Sequence, residues 1–250
     1  VRFDVVTLFP ELFEPFRAAS LVGRAVRGGA ALIGTRSPRD FGIGRHRSVD
    51  DTPYGGGSGM LMRVDVLVAC MESLDEDGRK AAPGAERAHR VLLTPQGAPL
   101  DQSHVRALSA RPHVMLVCGR YEGFDERVRA FVDQEISLGD FVMTGGEVAA
   151  MAVIEACVRY LPGVLGNEAS IREESHSPDA HGLLEYPQYT RPKDFRGMGV
   201  PDPLSGGNHA EIERWRREQS LERTRARRPD LFARFERESP VAPKKPNRHS

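Results

Sequence analysis

Short apolar runs alternate with stretches of helical periodicity along most of this chain. Residues 3–8 (FDVVTL) are β-rich and predict a strand, followed by a helical stretch over about 10–27. Residues 31–35 predict a second short strand. Val64, Leu67, Val68, Met71 and Leu74 recur at the spacing of one helix face, whereas 75–88 (DEDGRKAAPGAERA) are polar, broken by Gly and Pro, and predict a loop. Residues 90–94 and 113–118 predict buried strands with a helix over 101–110 between them. A helix over about 125–132, a strand over 134–138 and a long helix over 146–160 complete the series. Strands alternating with helices in this way predict an α/β domain with a mainly parallel sheet.

The texture changes at Pro162-Gly163. Residues 166–190 (GNEASIREESHSPDAHGLLEYPQYT) are polar, weakly periodic and too long for an ordinary connection, so they suggest a flexible linker. Beyond it, Asn208 and Glu211 have capping-box spacing, and Ile212 and Trp215 begin one helical face that should stop near Arg228, ahead of Pro229. A short helix carrying Leu231, Phe232 and Phe235 follows, and the last ten residues look frayed. The organisation expected is 1–165 as the α/β domain, 166–190 as linker and 191–250 as a small all-α domain. No internal repeat is visible.

Charge sharpens this division. The chain is formally neutral, yet residues 191–250 hold fifteen Lys and Arg against nine Asp and Glu. A basic end on a neutral protein suggests a polyanion docked at one place, or a solvated helical tail. Cys70, Cys118 and Cys157 are widely spaced in apolar stretches. They fit neither a metal site nor a disulfide framework and predict reduced, buried thiols in a cytoplasmic protein. No apolar run approaches a membrane span, so no membrane partner is expected.

Candidate chemistry gathers at glycine. Clusters occur at 54–60 (YGGGSGM), 118–123 (CGRYEG), 138–140 (LGD) and 143–147 (MTGGE), the last three after predicted strands. Loops at the carboxyl ends of parallel strands bind ligands, and glycine lets backbone approach them closely. None of the clusters is a Walker A loop or a G-x-G-x-x-G fingerprint, which argues against nucleotide hydrolysis and a dinucleotide site.

The segments SPRDFGIGRHRSVDDTPYGGGSGMLM (37–62), LTPQG (93–97), VCGRYEGFDERV (117–128), SLGDFVMTGGE (137–147), LPGVLGN (161–167), GLLEYPQYTRP (182–192) and SGGNHAEIERWRREQSL (205–221) occur in order over nearly the whole chain. In these the sequence resembles the bacterial tRNA (guanine-37-N1)-methyltransferases of the SPOUT superfamily. The resemblance implies an α/β domain with a deep trefoil knot at the cofactor site, a homodimer, and S-adenosylmethionine as methyl donor, released as S-adenosylhomocysteine. It maps cofactor binding onto Leu93, Thr94, Pro95 and Gln96, onto Gly119, Tyr121, Glu122 and Gly123, and onto Leu138, Gly139, Asp140, Phe141, Val142, Met143, Gly145 and Gly146. Phe141 stands where many relatives have Tyr.

Methylating guanine N1 requires removal of its proton, which throws negative charge onto O6; a base and a cation are therefore needed. The resemblance puts the cation at Arg159 and the base at Glu174. Here the family's E-D-S pattern reads Glu173-Glu174-Ser175, so the acid is one methylene longer, with Glu173 and Asp179 as neighbouring alternatives. A Mg2+ requirement is not legible in the sequence, and no metal ligand is assigned. Arg36, Arg39, Arg45, His46 and Arg47, and Arg214, Arg216, Arg217, Arg223, Arg225, Arg227 and Arg228, are candidate contacts to tRNA phosphates and unstacked bases. Pairs such as Glu213–Arg217 would instead be the mark of a merely solvated helix. The rivals are ribose 2′-O-methylation on the same fold and RNA binding without catalysis.

Overall fold

A computed structural model describes residues 1–166 and 174–238. The chain divides into two compact units, Val1–Gly166 and Asn167–Ser250. The first is built on five strands: β1 (Arg2–Val6), β2 (Leu32–Arg36), β5 (His89–Pro99), β6 (His113–Cys118) and β7 (Gln134–Ser137). They lie in the order β2-β1-β6-β5-β7, and every neighbouring pair is parallel. Two further strands, β3 (Asp50–Asp51) and β4 (Leu61–Met62), form a small antiparallel hairpin at the ends of the 52–60 loop.

Both faces of the sheet are covered, as a parallel sheet requires. On one face Phe3, Val5, Val91, Leu93, Val114 and Leu116 pack with α1 (Phe13–Ala18), α2 (Ser20–Arg27), α4 (Gln102–Ser109) and α5 (Glu147–Val158). On the other, Val6, Leu92, Met115 and Val117 meet α3 (Val64–Ala81) through Val66, Leu67, Cys70, Met71 and Leu74. The alternation along β5 and β6 explains why their sequences read as continuous apolar runs.

Three expectations for the first unit need correction. The stretch over 10–27 is not one helix: a 3-10 turn at Pro10–Leu12 leads into α1, and Ala19 in extended conformation separates α1 from α2. The segment over 125–132 is a 3-10 helix, Glu126–Phe131. The polar stretch from residue 75 is not loop throughout, because α3 runs on to Ala81. Gly78 is there for space: a Cβ on it would lie 3.1 Å from the His113 ring.

Asp75 gives the second reason for the longer helix. Its carboxylate is buried, meets Arg90 Nη2 at 2.5 Å, and accepts the Ala88 N–H at 2.8 Å, while Arg90 Nη1 donates to the Phe131 carbonyl at 3.0 Å. An ion pair taken out of water is costly to break from one side, because the survivor is left charged and unsolvated. Arg90→Met should therefore cost about 3–5 kcal/mol in urea unfolding, and adding Asp75→Asn, which keeps the Ala88 acceptor, should recover part of that. A single variant costing under about 1 kcal/mol would show that the pair is dispensable.

In the second unit, a helical turn (Asp202–Ser205) precedes α6 (His209–Arg227) and α7 (Pro229–Glu238). Asn208 caps α6, its side chain accepting the Glu211 N–H at 3.4 Å. The unit is not purely helical, since β8 (Asp194–Phe195) and β9 (Met198–Gly199) pair as a two-stranded hairpin. The segment 174–190, which composition suggests as linker, is tied to α6. Leu184 N–H donates to Thr224 Oγ1 at 2.9 Å, and Ser220 Oγ donates to the Leu184 carbonyl at 2.5 Å. Residues 167–173 of the expected linker, and the last ten residues, expected to fray, lie outside the described residues.

Candidate active site

The functional geometry of the first unit begins with an irregularity in β5. Leu93 pairs with Ile136 of β7, and so does Ala98, so residues 94–97 bulge out of the sheet between them. Gly97 makes this fit, since a Cβ there would lie 2.4 Å from Ile136 N. The bulge forms one wall of a cavity of about 340 Å³ at the carboxyl ends of β5, β6 and β7. The loop after β6 forms the second wall, with Tyr121 held at φ 60. A left-handed backbone on a bulky non-glycine residue is costly and clusters at ligand sites. The loop after β7, ending at the first turn of α5, forms the third.

All the residues mapped to cofactor binding line this cavity except Gly139 and Asp140, which sit in the third loop but outside the lining. Sequence reasoning missed Arg120, Phe124, Glu126, Arg129, Ile136, Ser137, Thr144 and Ala149, which also line it. Arg120 was within reach, standing in the CGRYEG cluster. Its guanidinium lies 4.4 Å from the Phe9 ring centroid and donates to the Thr144 carbonyl at 3.3 Å. Arg120 Nη2 is 2.8 Å from Glu147 Oε2, but the two are not aligned for a hydrogen bond; Oε2 and Arg120 Nε have no hydrogen-bond partner among the described residues. Glu147 is nonetheless anchored, because Thr7 Oγ1 donates to its Oε1 at 2.8 Å. Arg129 ties the walls together through Glu126 (2.8 Å), Glu135 and the Gln96 side chain (2.5 Å). Beside the second wall, Met62 N–H donates to the Gly123 carbonyl (2.9 Å) and Glu122 N–H to the Met60 carbonyl (3.0 Å), which couples the end of the glycine-rich 52–60 loop to the cavity.

Arg159 follows the last turn of α5 as its C-cap and is half-buried; it does not line the cavity. Glu174 belongs to the second unit, half-buried, its carbonyl accepting the Ser177 N–H at 3.2 Å. Asp179 lines a separate cavity in the second unit, and Glu173 lies outside the described residues. Among the candidate RNA contacts, Arg36 is engaged by Asp77 (2.6 Å) and Ser73, whereas Arg39, Arg45, His46 and Arg47 are exposed. Arg228 pairs with Asp230 at 2.6 Å, which drops that carboxyl to about 2 through the guanidinium hydrogen bonds. Among the described residues, no group of three or more His, Cys, Asp or Glu could hold a metal ion, and no helix is long and apolar enough to cross a membrane.

The three thiols are buried and unpaired. Burial pushes Cys70 and Cys157 up to about 12, and pushes Cys118 well above the ordinary value, with the Glu147 charge adding to it. Because thiolate is the reactive form, none should alkylate with iodoacetamide at pH 8 until the chain is unfolded. Mass spectrometry before and after denaturant reads this directly, and a thiol modified in the folded chain would contradict it. The sign of the linkage follows: the folded chain keeps these protons while an unfolded thiol loses them near 9, so stability should fall as pH rises from about 9 to about 12.

The chain matches the family model described as tRNA (Guanine-1)-methyltransferase over residues 1–234. It is 67% identical over 246 residues to a tRNA (guanine-N(1)-)-methyltransferase of Sorangium cellulosum, covering 93% of each chain. Proteins of the same name from Gloeobacter violaceus and Thermus thermophilus are 53% and 50% identical over 234 residues, covering 93% and 94% of this chain and 98% and 92% of theirs. With a parallel sheet whose bulged β5 and two glycine-bearing loops surround one cavity, and with this likeness along almost its full length, the chain belongs to the tRNA (guanine-N1)-methyltransferase family.

Proposed function

We propose that the protein transfers a methyl group from S-adenosylmethionine to N1 of the guanine at position 37 of tRNA, next to the anticodon, leaving S-adenosylhomocysteine. The observation that carries this reading is the convergence of the β5 bulge and the two glycine-bearing loops after β6 and β7 on one cavity in a chain of this family. The cavity suits the donor chemically. Leu93, Ile136 and Leu138 offer apolar contact to an adenine, and backbone N–H and C=O groups of the third loop can bond its edge. Glu122 and Glu126 bring carboxylates to a ligand carrying a sulfonium and an ammonium. When bound, the donor supplies an electrophilic methyl group. Glu174 takes the guanine N1 proton, freeing the electron pair that forms the new N–CH3 bond as the S–CH3 bond breaks and leaves its pair on sulfur. Arg159 balances the charge that deprotonation puts on O6.

The same reading includes a SPOUT-type trefoil knot at the third loop. The close approach of Gly146 to Cys118 and Gly119 supports a tight crossing of chain there. It also includes a cytoplasmic homodimer. Support comes from Phe141, Val142 and Val148, apolar side chains 56%, 84% and 62% exposed in the third loop and the adjoining turn of α5. Light scattering should give a dimer; a monomer fully active at the same concentration would sink that part. Primer extension on unmodified tRNA treated with protein and S-adenosylmethionine tests the activity, because N1-methylguanine blocks reverse transcription. The expected stop lies at position 37. Methylation recovered on ribose instead would replace this reading with the 2′-O reaction.

A further inference from the structure

A cavity of about 500 Å³ lies wholly within the second unit, between the 179–186 segment, α6 and α7. We propose that it holds an unstacked nucleobase of the RNA substrate with its adjoining phosphate, as a nucleotide site additional to that of the methylated guanine. The proposal rests on the tRNA reading above.

Three observations point to that class of ligand. First, the walls carry flat π faces: the His181 ring lies 6.2 Å from that of Phe235, and the Arg216 guanidinium lies 4.6 Å from the Tyr186 ring centroid. Unpaired bases are bound by stacking on aromatic rings and guanidinium planes. Second, the cations at this wall have no carboxylate partner among the described residues. Glu213 stands one turn before Arg217 and forms no ion pair with it, whereas Arg228 and Arg234 are paired. Arg216 Nε is buried with no hydrogen-bond partner among the described residues. A buried N–H left unsatisfied is expensive, and a phosphate or base acceptor in the cavity would satisfy it. Glu213, also in the lining, can in turn accept from the N–H groups of a base edge.

Third, the wall is built rather than incidental. The Ser220 and Thr224 hydroxyls fasten both backbone groups of Leu184 to α6. His181, at the other end of that segment, is held at φ 52, where residues other than glycine are strained. The lining also carries Asp179 and Glu185 beside Glu213, so a wall fixed at this cost offers acceptors as well as guanidinium donors, which suits the mixed polar edge of a planar base and suits an apolar ligand poorly.

The test uses the full-length protein and tRNAs carrying a single abasic nucleotide at successive positions of the anticodon stem-loop. Arg216→Gln removes the guanidinium. His181→Asn removes the ring but tolerates the left-handed backbone, so it carries the test if the first variant fails to fold. Binding is measured by equilibrium titration with S-adenosylhomocysteine present, and circular dichroism and cofactor affinity serve as fold controls. Each variant should weaken tRNA binding about 5- to 150-fold. One abasic tRNA should lose a similar factor with the wild type and little more with the variants, because the lost contact is shared. Variants that bind every tRNA like the wild type, or losses that multiply at every abasic position, would overturn the proposal. If the tRNA reading itself is wrong, the outcome differs: the wild type then neither binds nor methylates tRNA.

Discussion

Glu174→Gln should lower the single-turnover rate of tRNA methylation on the order of 10²-fold or more, with affinity for S-adenosylmethionine unchanged. The amide keeps the shape of the side chain and loses its basicity, so only proton removal suffers. Glu174→Asp should retain much of the activity, since the family pattern carries Asp at this position. Raising the pH should partly restore Glu174→Gln, because solvent can then take the N1 proton. Arg159→Ala should lose a comparable factor and show no such rescue, because the missing contribution is charge stabilisation at O6. The pH profile thus separates the two roles. A Glu174→Gln variant with near-normal single-turnover rates would move the base elsewhere, to Glu173 or Asp179.

Gly146→Val should abolish binding of S-adenosylmethionine altogether. The backbone at Gly146 is ordinary, with φ −83, so conformational freedom is not the reason. Space is: a Cβ would lie 2.8 Å from Cys118 Cα and 3.1 Å from Gly119 N, and Gly146 N–H already donates to the Gly119 carbonyl at 3.0 Å. A branched side chain there must push the second and third walls apart, which destroys the cavity from behind rather than by filling it. Gly146→Ala should show a weaker form of the same defect. Titration heats equal to wild type in a folded Gly146→Val protein would remove this cavity from the account of cofactor binding.

The sequence made some of this architecture legible, for physical reasons. β6 matches its predicted bounds, 113–118, because a strand covered on both faces is apolar along its buried run, here Val114 to Cys118, and flanked by polar turns. The extension of α3 was not legible, because it depends on a partner: Asp75 is unremarkable as a helix residue until Arg90 of β5 is brought to it. The bulge at 94–97 was hidden for a similar reason. Its cause, the backbone of Ile136 against Gly97, lies some forty residues further along the chain. At the site, the glycine loops announced themselves by composition and position. Arg120 stood inside one of those clusters, but Arg129 did not announce itself, since its importance comes from what it bridges, and a lone arginine carries no sign of its partner. The cavity of the second unit was likewise invisible: its arginines read as a basic helix, and only the folded arrangement sets rings beside them.

The bulge in β5 has a mechanical consequence. Because the strand rejoins β7 on both sides of residues 94–97, that wall is pinned at two points of the sheet and shares the sheet's resistance to opening. The third wall has no such double anchorage, being held to its neighbours by single contacts such as Thr144 O with Arg120 and Gly146 N with Gly119. On the proposed reading, the cavity should therefore behave as a vice with one fixed jaw, the stretch 94–97, and one that gives, the third loop, where the ordering on donor binding is expected to fall. In amide exchange, the protection conferred by the donor should fall on residues 139–145, while residues 91–93 exchange as slowly with the donor as without it.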